Sequence, residues 1–166
     1  MGYVPQDAFL FSDTIANNIK FGKENATEEE MIAVAKFAAV HQNIIDFKNG
    51  YETILGVRGV TLSGGQKQRV SIARALIKET NLLLFDDSLS AVDTETEERI
   101  LENFKNITNK KTTFLVSHRI STVKNADLIL VLDNGKIIQQ GAHNQLVSDI
   151  GYYQELYKEQ LEEKEY

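Results

Sequence analysis

Two aspartates, Asp86 and Asp87, follow the apolar run Leu82 to Phe85 without a break. Adjacent carboxylates at the end of a strand suit magnesium, a hard ion that binds through one or two carboxylates plus substrate phosphates. Earlier in the chain, Ser63-Gly64-Gly65 opens a stretch of helical spacing. Ser63 can cap that helix, and the glycines leave its first amides bare for an anionic oxygen at the positive end of the helix dipole. Later, Ser117 and His118 follow the strand-like run Thr112 to Val116. An imidazole at that place could donate a hydrogen bond to charge that grows on a phosphate during transfer. Each feature taken singly has a plainer reading: an acidic turn, an ordinary helix cap, a structural histidine. Their succession turns the balance towards phosphate and metal.

These residues need elements to hold them. Val70, Ile72, Ala73, Leu76 and Ile77 recur at helical spacing and predict one buried face, with Lys67, Arg69 and Lys78 on other faces. Leu82 to Phe85 reads as a strand buried on both faces, as in a parallel sheet. Ligands of open α/β sheets sit beyond the carboxyl ends of strands, so the acid pair and His118 are expected at one sheet edge. Thr27 with Glu30 is a capping box for a helix ending near His41, itself read as a surface histidine. Thr94 with Glu97 predicts a second box, with Ile100, Leu101 and Phe104 buried on a helix ending near Asn106. A short helix over Ile120 to Ala126 precedes a hairpin, Leu128 to Leu132 and Lys136 to Gln139, around Asn134-Gly135. From His143 a short helix leads into an amphipathic tail with Tyr153, Leu156, Tyr157 and Leu161 on one side.

The chain has 166 residues, 42% hydrophobic and 25% charged, enough for one domain with a real core. A net charge of −6 without a basic tract argues against nucleic acid as a partner. Without cysteine there are no disulfides or thiolate metal sites. The apolar runs are too short to cross a bilayer, so a membrane channel must belong to another segment or chain.

LSGGQKQR, then LLLFDD and SAVD, resembles the signature motif, Walker B strand and D-loop of ATP-binding-cassette (ABC) ATPase domains. YVPQD at Tyr3 to Asp7 resembles the Q-loop, and Ser117-His118 the switch-histidine loop, so the likeness runs along essentially the whole chain. The resemblance implies an α/β fold: a partial P-loop NTPase with a helical signature subdomain over about 6–78. A mostly parallel core sheet, a C-terminal hairpin and helices would make up about 79–166. It implies ATP and Mg2+, with Asp86 and Gln6 at the metal and Asp87, His118 and Gln6 as catalytic residues. Ser63, Gly64, Gly65 and Gln66 would contact the ATP of a partner domain in trans, with Asp93 in the D-loop. The implied partners are a second nucleotide-binding domain and a transmembrane domain, on the cytoplasmic face of the plasma membrane. The apolar set Phe9, Leu10, Phe11, Ile15, Ile19 and Phe21 would dock that membrane domain wherever it is exposed.

Three departures qualify the resemblance. Val57 and Arg58 stand between Gly56 and Gly59, where many exporters of the family carry an acidic residue. No G-x-x-x-x-G-K-S/T phosphate loop occurs, so the chain is expected to be the portion of such a domain from the Q-loop onward, inactive alone. Its sheet is expected to have an open edge and uncovered apolar surface. Asp87 replaces the usual glutamate, which suggests the degenerate-site half of a heterodimeric exporter. A non-transport ABC ATPase acting on DNA or ribosomes ranks below this reading, as does a non-enzymatic interaction module.

Overall fold

A computed structural model describes residues 1–56, 60–108 and 111–162, with the side chains of 106–108 left aside. The Val57-Arg58 departure therefore lies outside the described residues. The chain divides into two compact units, Met1–Val116 and Ser117–Tyr166, each considered by itself.

The first unit is built on a three-stranded parallel sheet in the order β1 (Gly2–Val4), β2 (Leu82–Asp86), β3 (Thr112–Val116). The predicted central strand is therefore present, but its two faces are not equally buried. Side chains alternate along a strand. Leu83 and Phe85 are buried, with the Phe85 ring 4.8 Å from Phe104. Leu82 and Leu84 are only half-buried, and Tyr3, Phe114 and Val116, on their face of the sheet, are exposed. The expected uncovered apolar surface is this face.

Helices α1 (Ile15–Lys20), α2 (Glu28–Phe37), α3 (His41–Ile45), α4 (Gly64–Leu76) and α5 (Thr94–Thr108) complete the unit, with a 3-10 turn at Gly50–Glu52. Thr27 and Glu30 form the predicted capping box of α2. That helix stops before His41 because Ala39 takes a left-handed conformation, φ 54°. The Ala39 carbonyl, freed at the helix end, accepts from the guanidinium of Arg69 and, at 3.5 Å, from Arg99. Arg69 thus lies on a buried face of α4, not on an outer one, and also reaches Asn43 Oδ1 at 2.9 Å. His41 is likewise half-buried: its Nδ1 is 2.9 Å from the Tyr51 hydroxyl, whose pKa burial pushes up to about 12.

Arg74 is the main tie between α4 and the segment after β1. It donates to Asn18 O at 2.8 Å, Asn18 Oδ1 at 2.8 Å and Phe9 O at 2.9 Å, while its guanidinium lies 5.3 Å from the Phe11 ring centroid. Asn18, fully buried on α1, spends its amide on Phe11 and Thr14 carbonyls and takes the Phe11 amide on its oxygen. Truncating Arg74 removes the donors to two acceptors on buried Asn18 together with its packing on the Phe11 ring, which costs more than the lost bonds. Arg74→Ala is expected to lower unfolding free energy by about 2–4 kcal/mol in chemical denaturation. Arg74→Lys should recover only part, since an ammonium lacks the planar fork.

The second unit holds α6 (Ile120–Val123), the antiparallel pair β4 (Ile129–Asp133) and β5 (Lys136–Gly141), α7 (His143–Ser148) and α8 (Tyr152–Glu162). Asn134 and Gly135 both have positive φ, 47° and 75°, as a tight hairpin turn requires. Ile120, Ile129, Val131, Leu146 and Tyr153 form its core. The short helix ends at Val123, ahead of the predicted Ala126, and β5 runs on to Gly141.

Candidate functional site

Parallel pairing of Val4 with Phe85 brings the exits of β1 and β2 to the same sheet edge. Pro5 turns the chain out of β1, and Gln6 Nε2 donates to Asp87 Oδ2 at 3.4 Å. Tyr3 donates its hydroxyl to Asp86 Oδ2 at 3.2 Å. The Tyr3 phenol is pushed up, first by desolvation and then by its bond to Asp86 and that carboxylate's charge, so it stays a donor. Asp87 adopts φ 43°, its amide bonded to Val116 O at 2.9 Å and its carbonyl accepting Ser90 Oγ at 2.8 Å. Aspartate tolerates this left-handed conformation better than most residues.

These groups fit a magnesium ion. Asp86 and the Gln6 amide oxygen are hard donors, and the Gln6 nitrogen is already turned to the neighbouring Asp87. Among the described residues no group of three or more His, Cys, Asp or Glu is placed to hold a metal.

At the head of α4, Ser63 Oγ accepts from the Gln66 amide at 3.3 Å, and Gln66 Oε1 accepts from the Ser63 amide at 3.0 Å. This capping box fixes the helix start and leaves Ser63 and Gly64 exposed. Behind it stands the turn over Ala91. A Cβ on Gly65 would come within 2.7 Å of Ala91 O, whereas one on Gly64 would meet Ala91 Cβ at an ordinary 3.5 Å. Gln68, buried, takes the Ala91 amide on Oε1 at 3.0 Å and gives Nε2 to Gln6 O at 3.3 Å. One face of α4 thereby meets both neighbouring loops.

Asp93 caps α5 by accepting the Thr96 amide at 2.9 Å, and bonds from Thr96 hold its carboxyl below the usual range. The second capping box is therefore not built on Thr94. Asp93 is the cap, one residue earlier, and Glu97 is buried one turn in, its amide on Asp93 O. His118 is exposed and belongs to the second unit, where its carbonyl accepts Gln160 Nε2 at 2.8 Å. Gln6, Asp86 and Asp87 are brought together; Ser63 to Gln66 and Asp93 are placed at two helix starts in the same unit.

Residues 1–90 match the family described as ABC transporter. The chain belongs to the ABC transporter family. This ABC transporter chain is 49% identical over 161 residues to the uncharacterized ABC transporter ATP-binding protein YfiB of Bacillus subtilis, covering 97% of itself and 28% of that protein. It is 46% identical over 165 residues to ATP-binding cassette sub-family B member 6 of Rattus norvegicus, covering 99% of itself and 20% of the relative. A solved bacterial Atm1-family ABC exporter with ATP bound superposes with a TM-score of 0.91 at 46% identity, over 96% of this chain and 28% of the other. The chain thus spans about a quarter of the length of these relatives. Its architecture is a partial ABC ATPase fold, part of a nucleotide-binding domain.

Two residues of this arrangement escape sequence reading. Tyr3 gives no chemical signal beyond standing in YVPQD, because its bond to Asp86 depends on strand pairing across 83 positions of sequence separation. Gln68 lies three residues beyond Gly65, hence on the same helix face, and that spacing was the available clue.

Proposed function

We propose that this segment is the C-terminal portion, from the Q-loop onward, of the ATP-hydrolysing domain of an exporter, coupling ATP turnover to transmembrane transport. The observation that carries the proposal is Gln6 on the Asp87 carboxylate, with Tyr3 on Asp86, at the ends of adjacent parallel strands. Asp86 and the Gln6 amide oxygen would hold Mg2+, which supplies charge neutralisation at the phosphates of ATP. Asp87, one methylene shorter than the family's usual glutamate, would order the attacking water only weakly, and His118 would donate to the γ-phosphate, both tasks of position and charge. Ser63, Gly64, Gly65 and Gln66 would meet the ATP of a second nucleotide-binding domain, with Asp93 holding the D-loop between them.

On this proposal about 6–78 is the signature subdomain and about 79–166 the remainder of the catalytic core. The membrane partner would dock on the aromatic set after β1, where Phe9 and Phe21 are 65% and 69% exposed. A cavity of about 410 Å³ lined by Ala8, Phe9, Leu55, Thr61, Leu62 and Lys67 adjoins it. No described helix is long and apolar enough to cross a membrane, so association with the cytoplasmic face of the plasma membrane would run through that partner.

Because the sequence contains no phosphate loop, the purified 166-residue chain is expected to show no magnesium-dependent ATPase activity. With any partner site silenced, the complete transporter carrying the segment should hydrolyse ATP, and Asp86→Asn should abolish that turnover. Activity of the chain alone, or full turnover in Asp86→Asn, overturns the assignment.

A further inference from the structure

The loop carrying His118 is met by a side chain of the last helix. Gln160, on α8, accepts the Ile120 amide on Oε1 at 2.9 Å and donates Nε2 to the His118 carbonyl at 2.8 Å. Both bonds are possible together because Arg119 between them is extended, φ −93° and ψ 124°. In extended backbone, the carbonyl of one residue and the amide two residues on can face the same side, bracketing the residue between. A primary amide presents an N–H and a C=O in the same direction, so it matches this pair. A carboxylate matches only the amide, and an aliphatic chain matches neither.

Gln160 also solves a local problem. Ile120 opens α6, and Arg119, the residue before it, makes no side-chain capping bond. A helix start without a cap leaves amides unmatched. The Ile120 amide is supplied from 40 residues away, while Ser117 Oγ accepts the Arg119 amide at 3.0 Å and closes the loop from within. The His118 backbone therefore has a fixed course before its imidazole meets anything.

We infer that Gln160 is a positioning residue for His118: the C-terminal helix sets the switch-histidine loop through one bidentate amide. This rests on the role proposed above for His118, and it adds a residue outside every recognised motif of the chain. It also gives the amphipathic tail a task beyond packing Tyr153 against the hairpin.

The test compares Gln160→Leu with Gln160→Glu, two variants of similar shape. Amide hydrogen exchange at Ile120 in the 166-residue chain is expected to quicken about five- to tenfold in Gln160→Leu, the worth of one net hydrogen bond. Gln160→Glu should keep the Ile120 amide protected while losing the donor to the His118 carbonyl. In the complete transporter polypeptide, Gln160→Leu should lower kcat for ATP with KM unchanged, and Gln160→Glu should fall between it and the parent. Equal Ile120 exchange in all three proteins removes the clamp. Faster exchange with unaltered kcat shows a purely structural bond and overturns the positioning role. His118→Ala in the same polypeptide separates the two levels: if it leaves kcat intact, the role of His118 fails, whatever Gln160 does to the loop.

Discussion

On the reading of Asp87 as the mark of a degenerate site in a paired transporter, replacing it by glutamate is expected to raise ATP turnover at its own composite site on the order of a hundredfold, within the range that a positioned base contributes. Aspartate is one methylene shorter than glutamate, and a group that orders or takes a proton from water must stand within hydrogen-bond reach of it. In the structure the Asp87 carboxylate is engaged by Gln6 Nε2 at 3.4 Å, held back close to the backbone turn. A longer side chain from the same Cα would extend past that contact, where the proposed role of this position needs it. The turn imposes an opposing cost. At φ 43° the position favours aspartate, and glutamate there adds strain of roughly 1 kcal/mol by comparison with tolerated left-handed residues. A hundredfold gain corresponds to about 2.7 kcal/mol of transition-state stabilisation, which exceeds the strain. The measurement is steady-state ATPase of the purified pair with the partner's own site silenced, so that turnover reports the Asp87 site alone. A drop in turnover would mean that Asp87 is already the working group and that the site is not degenerate.

The same residue marks how far the sequence could be read. Strand β2, helix α4 and the hairpin follow from apolar run length, helical spacing and an Asn-Gly turn, all local properties. The union of Gln6 with the acid pair was expected from the family resemblance alone, since a glutamine after a proline carries no local signal of its neighbours. Where expectation and structure part, a long-range partner is responsible. Arg69 is drawn inward by the Ala39 carbonyl, which exists as an acceptor only because α2 ends in a left-handed turn. Thr94 could have capped α5 as well as Asp93, and the charged oxygen one residue earlier won. The half-open sheet face was expected for a chain lacking the phosphate-loop motif, and Tyr3, Phe114 and Val116 occupy it.

The contact between α4 and the turn at Ala91 makes a sharp pair of predictions from adjacent glycines. Alanine is the better helix former by about 1 kcal/mol, so on propensity alone both Gly64→Ala and Gly65→Ala should stabilise the helix. At Gly64 nothing opposes that gain: the new methyl meets Ala91 Cβ at an ordinary 3.5 Å. At Gly65 the methyl would sit 2.7 Å from the Ala91 carbonyl oxygen, a backbone atom that moves only with its peptide. That peptide cannot shift freely, because the Ala91 amide is bonded to buried Gln68, which also holds the Gln6 carbonyl. Overpacking of this kind costs about 1–3 kcal/mol, enough to outweigh the propensity gain. Gly65→Ala should therefore lower the unfolding midpoint of the 166-residue chain while Gly64→Ala leaves it equal or raised. In the complete transporter the displaced turn carries Asp93 and, through Gln68, the Gln6 loop, so Gly65→Ala should cut ATP turnover on the order of a hundredfold or more, as small misplacements of catalytic groups do. If Gly65→Ala proves as stable and as active as the parent, α4 does not set these loops, and the bonds of Gln68 are packing alone.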